Sequence, residues 1–175
     1  MSGECIETWT LDLSDPRSGA ADRENGYAPA SDIRILVGES PAESEQSYRE
    51  DSRLWQTLTD LVRGVPALLH GDGVSLEVDA GEIHLTPVDD QAAIEVEQEI
   101  HGLPESVDVY EPHRIGVAAF MQETYRAVRA WHEAADVTDP ARPVAEWYRD
   151  LSDALDAAEA AMEQEGIEVP ESQRR

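Results

Sequence analysis

Residues 73–99, GVSLEVDAGEIHLTPVDDQAAIEVEQE, hold three runs of alternating apolar and polar side chains. Val74, Leu76 and Val78 alternate with Ser75, Glu77 and Asp79; Ile83 and Leu85 follow on the return; Ile94 and Val96 continue the pattern. A period of two is the mark of a strand with one wet face. The separators, Asp79-Ala80-Gly81-Glu82 and Asp89-Asp90, are tight-turn chemistry, far too short for the crossover of about a dozen residues that parallel pairing needs. The three runs therefore predict an antiparallel meander, one face in water and the other in need of cover. Pro87 either ends its strand or marks an edge.

The rest of the chain supplies that cover. CIETWTLDL (5–13) puts Trp9, Leu11 and Leu13 on one face of a half-buried strand, and DIRILVG (32–38) does the same with Ile33, Ile35 and Val37. The two are expected to pair antiparallel. Between them, residues 14–31 are turn chemistry throughout and read as a long exposed loop; residues 39–47 read as an acidic linker. VDVY (107–110) is a candidate sixth short strand. In 114–135, Val117, Phe120, Met121, Thr124, Val128 and Trp131 recur at helical spacing; in 144–165, Val144, Trp147, Leu151, Ala154, Leu155, Ala158 and Met162 do so, with Asp150, Asp153, Asp156, Glu159 and Glu163 on the opposite, solvated side. The expected fold is α+β, in the order β-β-α-β-β-β-(β)-α-α. A five- to six-stranded, mainly antiparallel sheet is covered on one face by three helices, in a single domain over 1–165 with a flexible tail over 166–175.

The segment SRLWQTLTDLVRGVPALLHGDG (52–73) sets two signals against each other. Leu54, Trp55, Leu58, Leu61, Val62, Val65, Leu68 and Leu69 share one helical face, and Ser47-Tyr48-Arg49-Glu50 has the form of a capping box. Yet Gly64-Val65-Pro66 has the form of a helix stop, because proline disfavours the α conformation in the residue before it. The expectation is a helix over about 48–63 and a short helical turn over about 66–70, both with the same face on the sheet. One helix running through Pro66 is the alternative.

Charge decides which partners are worth seeking. There are 38 acidic residues against 13 basic ones, a net charge of −25, and every basic residue is an arginine. A chain of this length ordinarily carries about ten lysines. At ~1 M salt the Debye length is about 3 Å, so carboxylates hardly repel one another; in dilute buffer the same charge destabilises a compact state. Acidity along the whole chain, with arginine in place of lysine, resembles a cytoplasmic protein of an extreme halophile. Acid-rich faces are then solvation devices first. Phosphate binding needs clustered cations and weakens with salt. Arg126 and Arg129 are flanked by Glu123 and Glu133, and no nucleic-acid partner is expected. Trp55, Trp131 and Trp147 lie on apolar helical stripes and read as core. The N-terminal residues have neither a basic region nor an apolar stretch, and no run approaches the ~20 apolar residues of a membrane span; a cytoplasmic location without membrane contact is expected.

Chemistry leaves few marks. The lone Cys5 excludes an internal disulfide. His70, His84, His101, His113 and His132 include no H-x-x-x-H pair, so no metal is expected, and no cofactor motif occurs. DRENGY (22–27) fails as a calcium loop, its glycine falling one position early with no glutamate to close it. HGDG (70–73) reads as a helix stop and a turn. His70 and Asp72 there, with His84, are nonetheless the candidate residues of a small polar pocket.

The two N-terminal strands, the helix LWQTLTDLVRGV, the meander VSLEV, IHLTPV and AIEVE, and the long helix after it give residues 5–135 a layout that resembles WapI-type bacterial immunity proteins. The final helix is an addition, and no functional residue is carried across. The resemblance implies a protein that binds a cognate toxin. The expected function is thus a non-catalytic protein-binding domain of a halophile, immunity-like or accessory to a mobile element, with a protein partner. The partner's site would lie on the 14–31 loop or an open sheet edge. Two other readings stand beside it: a small hydrolase-type enzyme with a pocket near His70, Asp72 and His84, and a virion or assembly component.

Overall fold

The structure, a computed structural model, describes residues 6–13, 33–37, 51–78, 81–88, 93–100, 113–138 and 146–171. In chain order the elements are β1 (Trp9–Leu13), β2 (Ile33–Val37), α1 (Asp51–Leu69), β3 (Val74–Val78), β4 (Gly81–Val88), β5 (Ala93–Ile100), β6 (His113–Gly116), α2 (Val117–Thr138) and α3 (Glu146–Gln164). The protein is α+β, and its strands pair antiparallel within each sheet.

The meander forms on the register that alternation demands. Leu76 pairs with Ile83, Leu85 with Val96, and Ile94 with Ile115, and all six side chains are buried. Pro87 pairs with Ile94 on β5, whereas β3 reaches along β4 only to Leu85. Pro87 therefore sits in a stretch with no β3 neighbour, where the proline costs no ladder hydrogen bond on that flank. The turns at 79–80 and 89–92, the linker at 39–47 and Cys5 lie outside the described residues.

The start of the helix expected over 114–135 is a correction. Residues 107–110 lie outside the described residues, and the strand beside β5 is His113–Gly116, part of which the helical reading of 114–135 had included. Four residues are too few for a period of two to declare itself, and Ile115 fits either period. Pairing with Ile94 in a fully buried position makes it a strand residue. The helix begins at Val117, and its stripe is as expected: Val117, Phe120, Met121, Thr124, Val128 and Trp131 are all buried.

The strands also divide differently. Among the described residues they form a two-stranded sheet, β1-β2, and a four-stranded sheet, β3-β4-β5-β6, in place of one continuous sheet. Among the described residues one parallel bridge, Glu7 with Ile115, joins the segment before β1 to the margin of β6; the Glu7 N–H donates to the Arg114 carbonyl at 2.8 Å. What draws β1 aside is α2. The Trp9 indole packs on Phe120, ring centroids 4.9 Å apart, and its Nε1–H donates to Thr124 Oγ1 at 3.2 Å. The Leu11 N–H, an edge donor, reaches Glu123 Oε1.

The segment over 52–73 is a second correction. It is one helix, Asp51–Leu69, with Pro66 inside it, not a helix and a separate turn. An interior proline forfeits a hydrogen bond and costs about 3 kcal/mol. Val65 and Leu68, on either side of it, are both fully buried, and burying two such side chains contributes roughly 3–6 kcal/mol. Burial outweighs the break. Gly64, the other half of the apparent stop, serves packing. A Cβ there would lie 3.3 Å from Val74 Cγ1 and 3.4 Å from Cγ2, so its absence lets α1 close on β3.

One apolar cluster takes side chains from β1, α1, β3, β4, β5, β6, α2 and α3. α1 lies along β3, and α2 along β1 and β6, while α3 packs above all on α1 and also on α2. The cover is therefore two helices against strands and a third against helices. On α3, Leu151, Ala154, Leu155, Ala158 and Met162 of the expected stripe are buried, while Val144 and the side chain of Trp147 lie outside what the structure describes. Beyond it, in the segment expected as a tail, Ile167 and Val169 pack partly buried against the core, and the Glu168 carbonyl accepts from Gln122 Nε2 at 3.0 Å. Residues 172–175 lie outside the described residues.

Candidate functional site

Helices clothe one face of the four-stranded sheet, and the alternation that turns Leu76, Ile83, Leu85, Ile94, Val96 and Ile115 toward them turns Ser75, Glu82, His84, Thr86, Glu95, Glu97 and Arg114 the other way. Register places these outer residues in rows. Ser75, His84 and Glu97 lie side by side across β3, β4 and β5; Thr86, Glu95 and Arg114 lie side by side across β4, β5 and β6. Ser75, Thr86 and Glu97 are exposed, and Glu82, His84, Glu95 and Arg114 are half-buried.

The rows are tied laterally. Ser75 Oγ and His84 Nδ1 share a hydrogen bond of 2.8 Å, and His84 Nε2 lies 3.5 Å from Glu82 Oε2. Arg114 reaches Glu95 at 3.9 Å. At the margin of β6, His113 Nδ1 bonds the Glu7 carboxylate beside the parallel bridge. The result is a polar surface carrying both signs of charge, on strands whose other side packs into the core. Such a surface can offer carboxylates to a guanidinium or amide, and a guanidinium to a carboxylate.

Of the candidate pocket residues, His84 stands on this face. His70 and Asp72 are exposed at the end of α1, where their main chain closes the helix. The His70 N–H donates to the Pro66 and Ala67 carbonyls, Gly71 N–H to Leu68, and Asp72 N–H to Ala67. Gly71, at φ 88°, takes the left-handed conformation that this helix ending requires. HGDG is thus the stop and turn into β3 that its composition suggests. Alternation already assigned Ser75, Glu77 and His84 to the polar side; the pairing of Glu95 with Arg114 needed the register of β6, which no turn signal announces. The 14–31 loop, expected together with an open sheet edge as a partner site, lies outside the described residues.

Elsewhere, polar groups tie helices together. Tyr125, buried on α2, donates its hydroxyl to Glu159 Oε2 on α3 at 2.8 Å. Its pKa is pushed up to about 12, by burial first and then by that hydrogen bond. Arg129 lies 3.5 Å from Glu133 and 3.9 Å from Asp156. Glu159, placed on the solvated side of α3 by periodicity, thus faces α2, whereas Asp156 stays exposed as expected. Arg126 donates to both carboxylate oxygens of Glu123, which holds its guanidinium more firmly protonated than usual. His132 is buried, stacked on the Tyr148 ring at 4.0 Å with Nε2 3.2 Å from the Tyr148 carbonyl. Among the described residues no group of three or more His, Cys, Asp and Glu is placed to hold a metal ion, and no helix is long and apolar enough to cross a membrane.

Set against family models, curated proteins and solved structures, the chain matches none.

Proposed function

We propose that this is a non-catalytic, protein-binding domain from the salt-filled cytoplasm of an extreme halophile, immunity-like or accessory to a mobile element. The observation that carries the reading is the outer face of the four-stranded sheet. Its rows of Ser75, His84 and Glu97, and of Thr86, Glu95 and Arg114, are ordered by the strands beneath them, and Ser75 with His84 and Glu95 with Arg114 are paired across strands. Side chains already paired have less freedom to lose when a second surface docks on them, and that loss is a main cost of association. The element order, similar to that of WapI-type immunity proteins, supports the same reading, as does the arginine-only, acid-rich composition.

The test is co-purification with the product of an adjacent gene, in molar KCl, followed by light scattering on the eluted species. A stable complex of the two chains is expected. Glu97→Arg together with Arg114→Glu should leave the fold intact, by circular dichroism, and weaken the complex at least ~10-fold, a loss of about 1.4 kcal/mol. Adjacent-gene products that never co-elute with the chain would overturn the protein-binding reading. A complex that forms but ignores both substitutions would move the interface off this face.

A further inference from the structure

We draw no further inference here: the strongest candidate, the apolar patch of Ile6, Ala118 and Ala119 around Gly116 at the junction of β6 and α2, is an exposed surface for which nothing in the structure shows what covers it.

Discussion

At Gly64 a missing side chain sets how closely α1 approaches β3. Gly64→Ala gains about 1 kcal/mol of helix propensity but places its Cβ 3.3 Å from Val74 Cγ1; the two effects nearly cancel, and the denaturation midpoint should hardly move. Gly64→Val adds two methyl groups with no room for them and should cost about 1–3 kcal/mol. Val74→Ala in the same chain should recover part of that, a coupling that a double-mutant cycle in urea would measure. If Gly64→Val proves as stable as the native chain, the close approach is wrong. Tyr125 makes a different prediction. Its pKa is raised from 10.0 to about 12 in the folded state, so the stability it contributes is complete below pH ~10, where the unfolded tyrosine titrates, and is lost as pH rises toward about 12. Tyr125→Phe should cost roughly 0.5–1.5 kcal/mol near neutral pH and should remove this alkaline loss. Unfolding curves compared at pH ~8 and ~11 would show it; parallel declines in both proteins would assign the loss to other groups.

At the scale of the element, α1 is where local and tertiary preferences conflict most sharply. Gly64-Val65-Pro66 reads as a stop, yet the helix runs on to Leu69. Local rules price the proline correctly and miss what lies on either side, because burial of Val65 and Leu68 depends on where β3 and α3 have gone. Pro66→Ala should therefore stabilise the protein, by up to about 3 kcal/mol, since it restores the missing N–H and removes the ring clash. Had the helix ended before Pro66, the same substitution would loosen the chain before folding and leave stability flat or lower. Thermal melts of the two proteins separate the outcomes. β6 teaches a related lesson: four residues cannot display a period, so only the partner strand distinguishes them from a first helical turn.

For the molecule as a whole, the net charge of −25 governs behaviour in solution. On the proposal that this charge adapts the chain to molar salt, the melting temperature should climb steeply as KCl rises from ~0.1 M to ~1 M, while the Debye length falls from about 10 Å to about 3 Å. Replacing exposed Asp153, Asp156 and Glu163 on α3 by the corresponding amides should flatten that climb. A melting temperature that is insensitive to KCl, or falls with it, would count against the halophile reading and leave the acidity unexplained. On the proposal that the outer sheet face binds a protein, short-range contacts there suffer less from screening than long-range attraction does, so binding should persist in molar salt where binding to a merely acidic patch would not.

Read alone, the sequence determined the fold class, the antiparallel meander with its inward and outward residues, and the buried stripes of α2 and α3. These depend on periods of two and 3.6 that every residue in a long segment repeats, and on turns too short for any other connection. It also assigned His84 to a polar face and HGDG to a helix stop. Tertiary structure alone decided that α1 continues through Pro66, that His113–Gly116 is a strand and not the first turn of α2, that β1-β2 stands apart from the larger sheet among the described residues, and that Glu159 turns to α2. In each of these, two local conformations or environments lie within a few kcal/mol of one another, and the contact that separates them comes from a residue distant in the chain: Val74 against Gly64, Ile94 beside Ile115, Thr124 beneath Trp9, Tyr125 against Glu159. Periodicity records which side of an element is apolar; it does not record which neighbour that side will meet.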